Sequence, residues 1–228
     1  MLVKKYLAEV TEIKNPVDNL FVLKIKSLEK PFKFLPGQFL HLTLDDYDPG
    51  SGWPESRCFS IQGQDMSGQI IITFSAKGRY TSRMAKELVQ GKILWLKMPY
   101  GNLFQNVPDK TNCIFISGGT GITPFLSMFT DESFRQYRNP KLYAGFRNTS
   151  FDLYDDFLSI AGTINPEFKY YKIYEDLDGV LNIEKIHKDQ NSAAVYFLSG
   201  PPKMIMDFKD YFISKSLPDI NIRTDEWE

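Results

Sequence analysis

The sequence is short of the residues that build metal sites and cross-links. It holds two cysteines, Cys58 and Cys113, and two histidines, His41 and His187, in 228 residues. Two cysteines so far apart exclude a four-cysteine iron–sulfur cluster or a zinc ribbon within the chain. The histidines stand alone, without an HExxH-like pair, so no metal site is expected. A surplus of one charge is missing too. Lys and Arg number 27 against 28 Asp and Glu, a formal net charge of −1. No strong field draws such a chain to nucleic acid or to an anionic membrane. Long hydrophobic runs are also lacking. No segment approaches a membrane span, and the N-terminal MLVKKYLAEVTEI alternates like a strand and lacks the apolar stretch of a signal peptide. A cytoplasmic protein with no nucleic-acid partner and no membrane span is expected.

What the chain does have is apolar and aromatic content, 43% and 14%. That is ample for buried cores, and the length allows one large domain or two ordinary ones. The first hundred residues read as short strands rich in β-branched and aromatic residues. YLAEVTEI, LFVLKIKS, GQFLHLTL, CFSIQG, QIIITFS and KILWLKMP are separated by turn signals such as KNPVDN, PG and DPGSG. This pattern suggests a β-sandwich or a β-barrel, of which a barrel is expected. TSRMAKELVQG interrupts it with helical spacing and a terminal glycine, so one helix is expected in the barrel. From about residue 111 strands and helices alternate. NCIFIS reads as a strand buried on both faces, and PFLSMFTDESFRQY, DLYDDFLSIA and PKMIMDFKDYFISK as helices. The expected architecture is an antiparallel Greek-key β-barrel with one helix, residues 1–107, followed by a Rossmann-like α/β domain with a parallel sheet, residues 108–228.

Four stretches carry candidate chemistry. In FISGGTGITPFLSM a strand runs into Gly118, Gly119, Thr120 and Gly121, then Ile122, Thr123 and Pro124 at a helix start. A glycine-rich turn at a helix N-terminus offers backbone donors at the positive dipole end, which suits a pyrophosphate; a plain tight turn fits equally well. The spacing is neither G-x-G-x-x-G nor a P-loop. SGPPKM, with Gly200, Pro201, Pro202 and Met204, follows a second predicted parallel strand, so both turns lie on the same edge of that sheet. A stiff strand-to-helix turn is the alternative. In RCFS, Arg57 offers a fork suited to phosphate, Phe59 projects to the same side, and Ser60 can hydrogen-bond a ring nitrogen. An ordinary strand with an exposed arginine and a core phenylalanine reads as well. In KGRYTSRM, Thr81 or Ser82 is a candidate N-cap whose helix end can hold a second pyrophosphate or simply be capped.

In this order the four stretches resemble the ferredoxin–NADP reductase superfamily, a flavin-binding β-barrel followed by a nicotinamide-nucleotide domain, over almost the whole chain. PGQF at 36–39 is similar to that family's barrel strand, and RCFS to its R-x-[YF]-S flavin motif. The resemblance implies Arg57 on the flavin pyrophosphate, Cys58 within the motif, Phe59 against the isoalloxazine and Ser60 near N5. GRYT (Gly78, Arg79, Tyr80, Thr81), with Ser82 beside it, is similar to the G-x-x-[ST] pyrophosphate motif. MPYGNLF at 98–104 resembles the G-P-[YF]-G-x-F turn, with Met98 for the first glycine. GGTGITP and SGPPKM match the two nicotinamide-domain motifs, and Arg147 occupies the segment where the family often places an arginine near the adenosine end. Two departures stand out. Ser199 replaces the cysteine of C-G-P, and TDEWE carries Asp225 and Trp227 where the family has E-x-F.

What the resemblance implies is a FAD-dependent NAD(P)H oxidoreductase, with FAD expected ahead of FMN. Hydride passes from NADPH or NADH to the flavin, with Ser60 and Trp227 at the reacting end, Trp227 as an indole covering one flavin face. Arg147, Asn148, Thr149 and Ser150 tilt the expectation toward NADPH, although Asp152 follows close behind. With no iron–sulfur or haem domain in the chain, the expected acceptor is a separate protein such as a ferredoxin, an oxygenase component or another redox protein. An NAD(P)H:flavin reductase that releases reduced flavin is the near alternative. A non-catalytic nucleotide-binding regulatory subunit is the alternative from another class.

Overall fold

The structure, a computed structural model, describes residues 2–190 and 193–225. The chain divides into two compact units, Met1–Asn102 and Leu103–Glu228. The sequence reading sets the boundary at 107/108.

In the first unit the strands are β1 (Lys4–Val17), β2 (Leu20–Ser27), β3 (Phe39–Thr43), β4 (Arg57–Ser60), β5 (Gly63–Gln64), β6 (Ile70–Ser75) and β7 (Ile93–Tyr100). The helix α1 (Arg79–Glu87) lies between the last two. They form one antiparallel sheet in the order β4-β3-β7-β1-β2-β6-β5. The sheet curls on itself, and at its ends Phe59 of β4 meets Phe74 of β6 edge to face at 6.0 Å. Alternation along the strands turns Leu23, Ile25, Leu40, Leu42, Ile70, Ile72, Leu94 and Leu96 inward, all at most 2% exposed. Tyr80, Met84 and Leu88 of the α1 region join that core. The chain departs from the sequence reading at KNPVDN. β1 continues through Asn15 and Pro16, and the turn is Asp18–Asn19, with Asn19 at φ 59°. Pro16 cannot donate to the ladder, and the register slips there. The Asn15 amide closes the gap by donating to the Val17 and Leu20 carbonyls at 2.9 and 2.8 Å.

The second unit holds β8 (Cys113–Gly118), α2 (Thr123–Phe129), β9 (Lys141–Phe146), α3 (Asp155–Ile164), β10 (Lys169–Tyr174), the single turn α4 (Glu175–Asp178), α5 (Ile183–Lys188), β11 (Val195–Ser199), α6 (Pro202–Ser214) and β12 (Ile222–Thr224). All five strands are parallel, in the order β10-β9-β8-β11-β12. Both faces are covered, which is why β8 and β11 are continuously apolar. Phe115 and Phe197 stack at 4.8 Å on the face that also holds Phe125, Phe129 and Phe134. Ile114, Ile116, Tyr196 and Leu198 face Phe208 and Phe212 on the other. The chain builds outward from β8 through β9 to β10, then returns to β8's other side with β11. Strand order therefore reverses between β8 and β11, and in open α/β sheets a ligand crevice opens at that reversal, beyond the strands' C-terminal ends.

Among the described residues no helix is long and apolar enough to cross a membrane.

Candidate functional site

Each unit carries part of the predicted constellation. In the second unit both glycine turns sit at the C-terminal ends of β8 and β11, at the point of reversal. They pack backbone against backbone. A Cβ on Gly121 would lie 2.4 Å from the Ser199 carbonyl oxygen and 2.5 Å from the Gly200 Cα. A Cβ on Gly118 would lie 2.8 Å from Pro201 Cδ and 3.0 Å from Met204 Sδ, and one on Gly200, at φ 150°, would meet Met204 and Gly118. No side chain fits at these three positions. Gly119 differs: it is exposed at φ 56°, and a Cβ there would meet nothing within 4 Å. After it the chain makes a 3-10 turn through Gly119–Ile122 into α2, where Thr123 donates its hydroxyl to the Thr120 carbonyl at 2.9 Å. Ile122, Thr123 and Pro124 are buried, while Pro201 and Pro202 open α6 on the surface.

Beside these turns lies a buried polar cluster. Ser117 and Ser199 are register partners on β8 and β11. Ser199 donates to the Asp225 carboxylate at 3.1 Å, and the Asp225 amide donates to the Leu198 carbonyl at 2.9 Å. The two departures from the resembled family, at 199 and 225, thus touch each other. The fully buried Ser117 hydroxyl has no hydrogen-bond partner among the described residues. Trp227 lies outside the described residues.

The segment after β9 carries Arg147, which is exposed with its guanidinium 5.1 Å from the centre of the Phe151 ring. Asp152, the acidic residue behind it, is turned inward. Its carboxylate is 2.6 Å from the Lys172 ammonium and accepts from the Tyr174 hydroxyl at 2.7 Å; Asp155 also binds Lys172. Burial pulls the Lys172 pKa down, but the two aspartates more than offset it and the net shift is upward. Burial, then Asp152, pushes the Tyr174 phenol up to about 12.

In the first unit RCFS and GRYT come together. Arg57 points out from β4, its guanidinium 5.1 Å from the centre of the Tyr80 ring and donating to the Ser56 carbonyl at 2.8 Å. Tyr80 is buried at 3% exposure. Its hydroxyl donates to the Leu42 carbonyl at 2.8 Å and accepts from the Leu44 amide at 3.1 Å, and burial lifts its pKa to about 12. Arg79, the first residue of α1, reaches the Glu55 carboxylate at 2.8 Å, and Arg57 reaches the same oxygen at 3.5 Å. The helix begins earlier than expected. Gly78 is its N-cap, and Thr81 stands at the third helical position, with its hydroxyl accepting from the Lys77 and Gly78 amides at 3.1 and 3.0 Å. Ser82 makes the first regular helical bond, to the Gly78 carbonyl at 2.8 Å. The hydroxyl of Thr81 thus makes the half of a capping box that runs from the third helical residue back to the N-cap amide, while Gly78 has no side chain to make the other half. Gly78 has ordinary extended backbone, and a Cβ on it would meet nothing within 4 Å. Phe59 and Ser60 are each 8% exposed, and most of the Phe59 ring is spent on the core against Phe74. Half-buried Cys58 lies on the opposite face, its sulfur 3.5 Å from His41 Nε2. Burial, then Lys97, lowers the His41 pKa.

Gly78 and Gly119 are thus left without a side chain where the chain's own packing would admit one. Gly78 stands before α1, with two guanidiniums beside it, and Gly119 opens the 3-10 turn that leads into α2. This donor set fits phosphate groups of nucleotides. The structure also supplies what motif reading missed. Glu55 lies in the bend just before β4 and gave no signal of its own. Lys172 and Tyr174 gave no signal, because their meeting with Asp152 requires the β9–β10 pairing.

No protein-family model matches the chain. It is 25% identical over 235 residues to a flavohemoprotein of Rhizobium meliloti, covering 93% of this chain and 54% of that protein. It is 27% identical over 212 residues to the anthranilate 1,2-dioxygenase electron transfer component of Acinetobacter baylyi, covering 87% and 59%. The chain spans about half the length of the curated relatives it matches. Among solved structures it is similar to a ferredoxin NADP+ reductase from Neisseria gonorrhoeae with bound FAD and NADP. The TM-score is 0.79 at 17% identity, covering 98% of both chains.

Proposed function

We propose that this chain, which has the two-domain fold of the ferredoxin–NADP+ reductases, is a FAD-dependent NAD(P)H oxidoreductase serving a separate acceptor protein. The observation that carries the reading is the pair of glycine turns at the reversal of the parallel sheet, fused backbone to backbone and leaving Gly119 open. A turn so built brings main-chain donors close to a phosphate without an intervening side chain. Arg57, Arg79 and the α1 start around Gly78 are the candidate holders of the flavin phosphates, and Ser60 the candidate hydrogen-bond partner of the flavin ring. Ser117, Ser199 and Asp225 form the buried polar cluster beside the two turns proposed for the nicotinamide nucleotide. When bound, a flavin takes two electrons from the reduced nicotinamide and can release them singly; the chain's part is to bind, align and shield the two rings. The relatives named as a flavohemoprotein and as a dioxygenase's electron transfer component support a protein or haem acceptor. Here that acceptor is proposed to be a ferredoxin or an oxygenase component. The reading places the protein in the cytoplasm, with the nucleotide pool it draws on.

NADPH is proposed as the preferred donor. Arg147 is exposed to meet a 2′-phosphate, while the Asp152 charge that would oppose one is engaged by Lys172. The test is the visible spectrum of protein purified without added cofactor, followed without oxygen on adding NADPH or NADH. Flavin bands that bleach, faster with NADPH and with the difference abolished in Arg147→Ala, support the proposal. Equal rates in the wild type remove the NADPH preference. A colourless protein that oxidises NAD(P)H only with free flavin added is the flavin reductase instead. One inert with every flavin is not an oxidoreductase of this kind.

A further inference from the structure

Glu55 bridges the two guanidiniums that the flavin reading assigns to a phosphate. Its one carboxylate oxygen lies 2.8 Å from Arg79 and 3.5 Å from Arg57. Among the described residues it is the carboxylate that the two cations share. Arg57 is oriented independently, by the Tyr80 ring and by its bond to the Ser56 carbonyl. Arg79 has a side chain 86% exposed, and its ion pair with Glu55 is the contact found for it among the described residues. The Glu55 carbonyl lies 3.3 Å from the buried Tyr80 hydroxyl, whose proton is directed mainly at Leu42, and the Glu55 side chain is 37% exposed.

We propose that Glu55 is a built-in competitor for the phosphate site: it neutralises Arg57 and Arg79 in the empty protein and must be displaced when a phosphate-bearing flavin binds. The inference rests on the flavin reading above. The charge balance gives its sign. Two guanidiniums and one carboxylate carry +1 together. A diphosphate with two negative charges leaves the group at −1 if Glu55 stays in contact and at zero if Glu55 withdraws into water. The flavin's phosphates therefore gain the arginines only at the expense of an existing ion pair, and removing that pair strengthens binding. Selectivity follows. The penalty falls on FAD and FMN, which bear phosphate, and not on riboflavin, which bears none.

The experiment titrates FAD, FMN and riboflavin against wild type, Glu55→Gln, Arg79→Ala and the Glu55→Gln/Arg79→Ala double variant, read by quenching of flavin fluorescence at two salt concentrations. Glu55→Gln is expected to tighten FAD and FMN about three- to fivefold, the size of an exposed ion pair, with riboflavin unchanged. The gain is expected to shrink at high salt and in the Arg79→Ala background. Unchanged or weaker FAD binding by Glu55→Gln, in a wild type that does bind FAD, overturns the competitor role and makes Glu55 a positioning group for the arginines. An equal gain for riboflavin overturns it as well. A wild type that binds none of the three flavins removes the flavin reading, and the competitor role falls with it.

Discussion

His41 shows how one side chain ties its sheet to pH. Its imidazole is half-buried on the outer face of β3, edge-on to Tyr100 at 4.7 Å, beside Cys58 and facing Lys97. Burial and then the lysine make the proton harder to hold in the folded chain than in the unfolded one, whose value is near 6.5. Stability from the neutral ring is therefore complete above about pH 6.5 and is lost as pH falls toward the lower folded value. Thermal melts at pH 7 and pH 5 should show a smaller loss of Tm for His41→Gln than for wild type. Equal losses would assign the acid sensitivity to other groups. Cys113 is the opposite case, a thiol lifted to about 12 by burial and so kept inert near neutrality.

At the scale of elements, the two glycine turns separate a tightly packed glycine from one that faces open space. Gly121→Ala drives a methyl group into the Ser199 carbonyl, backbone that cannot yield, and is expected to cost about 3 kcal/mol of stability. Gly119→Ala meets open space, so its cost is that of an alanine at positive φ, about 1–2 kcal/mol. It is expected to keep the fold while losing affinity for NADP+. Urea melts and calorimetric titration with NADP+ measure the two effects, and a Gly119→Ala protein that binds NADP+ like wild type would remove the phosphate role from this turn. Much of this was legible beforehand because it is local. The three glycines, Pro124, and the prolines after Gly200 are turn and helix-start signals readable without a partner. Other features had no such signature. β12 is three residues long and makes sense only beside β11. Pro16 reads as a strand end until the Asn15 amide is seen bridging the bulge. Thr81 reads as a cap, yet the helix already starts at Arg79, so Thr81 acts from the third helical position by accepting from the Gly78 amide.

At the scale of the whole molecule, the two units have separate apolar cores, one inside the curled sheet and others on the two faces of the parallel sheet. Residues 1–102 and 103–228 made as separate chains are each expected to unfold cooperatively, with affinity for NADP+ retained by the second. Circular dichroism melts check the first statement and calorimetric titration the second. A second chain that is unfolded alone would show that its core depends on residues 1–102. The change in texture near residue 111 is legible because the two sheets impose different periods on the sequence: alternation in the curled antiparallel sheet, continuous apolar runs in the doubly covered parallel one.

The contact between the two glycine turns also bears on recombination. Gly118 and Gly121 are far from Gly200 in the gene, yet none of the three has room for one extra methyl group against the other turn. A chimera whose parents exchange between these turns would join halves that were never fitted to each other. A crossover at Asn102/Leu103 inherits both turns from a single parent.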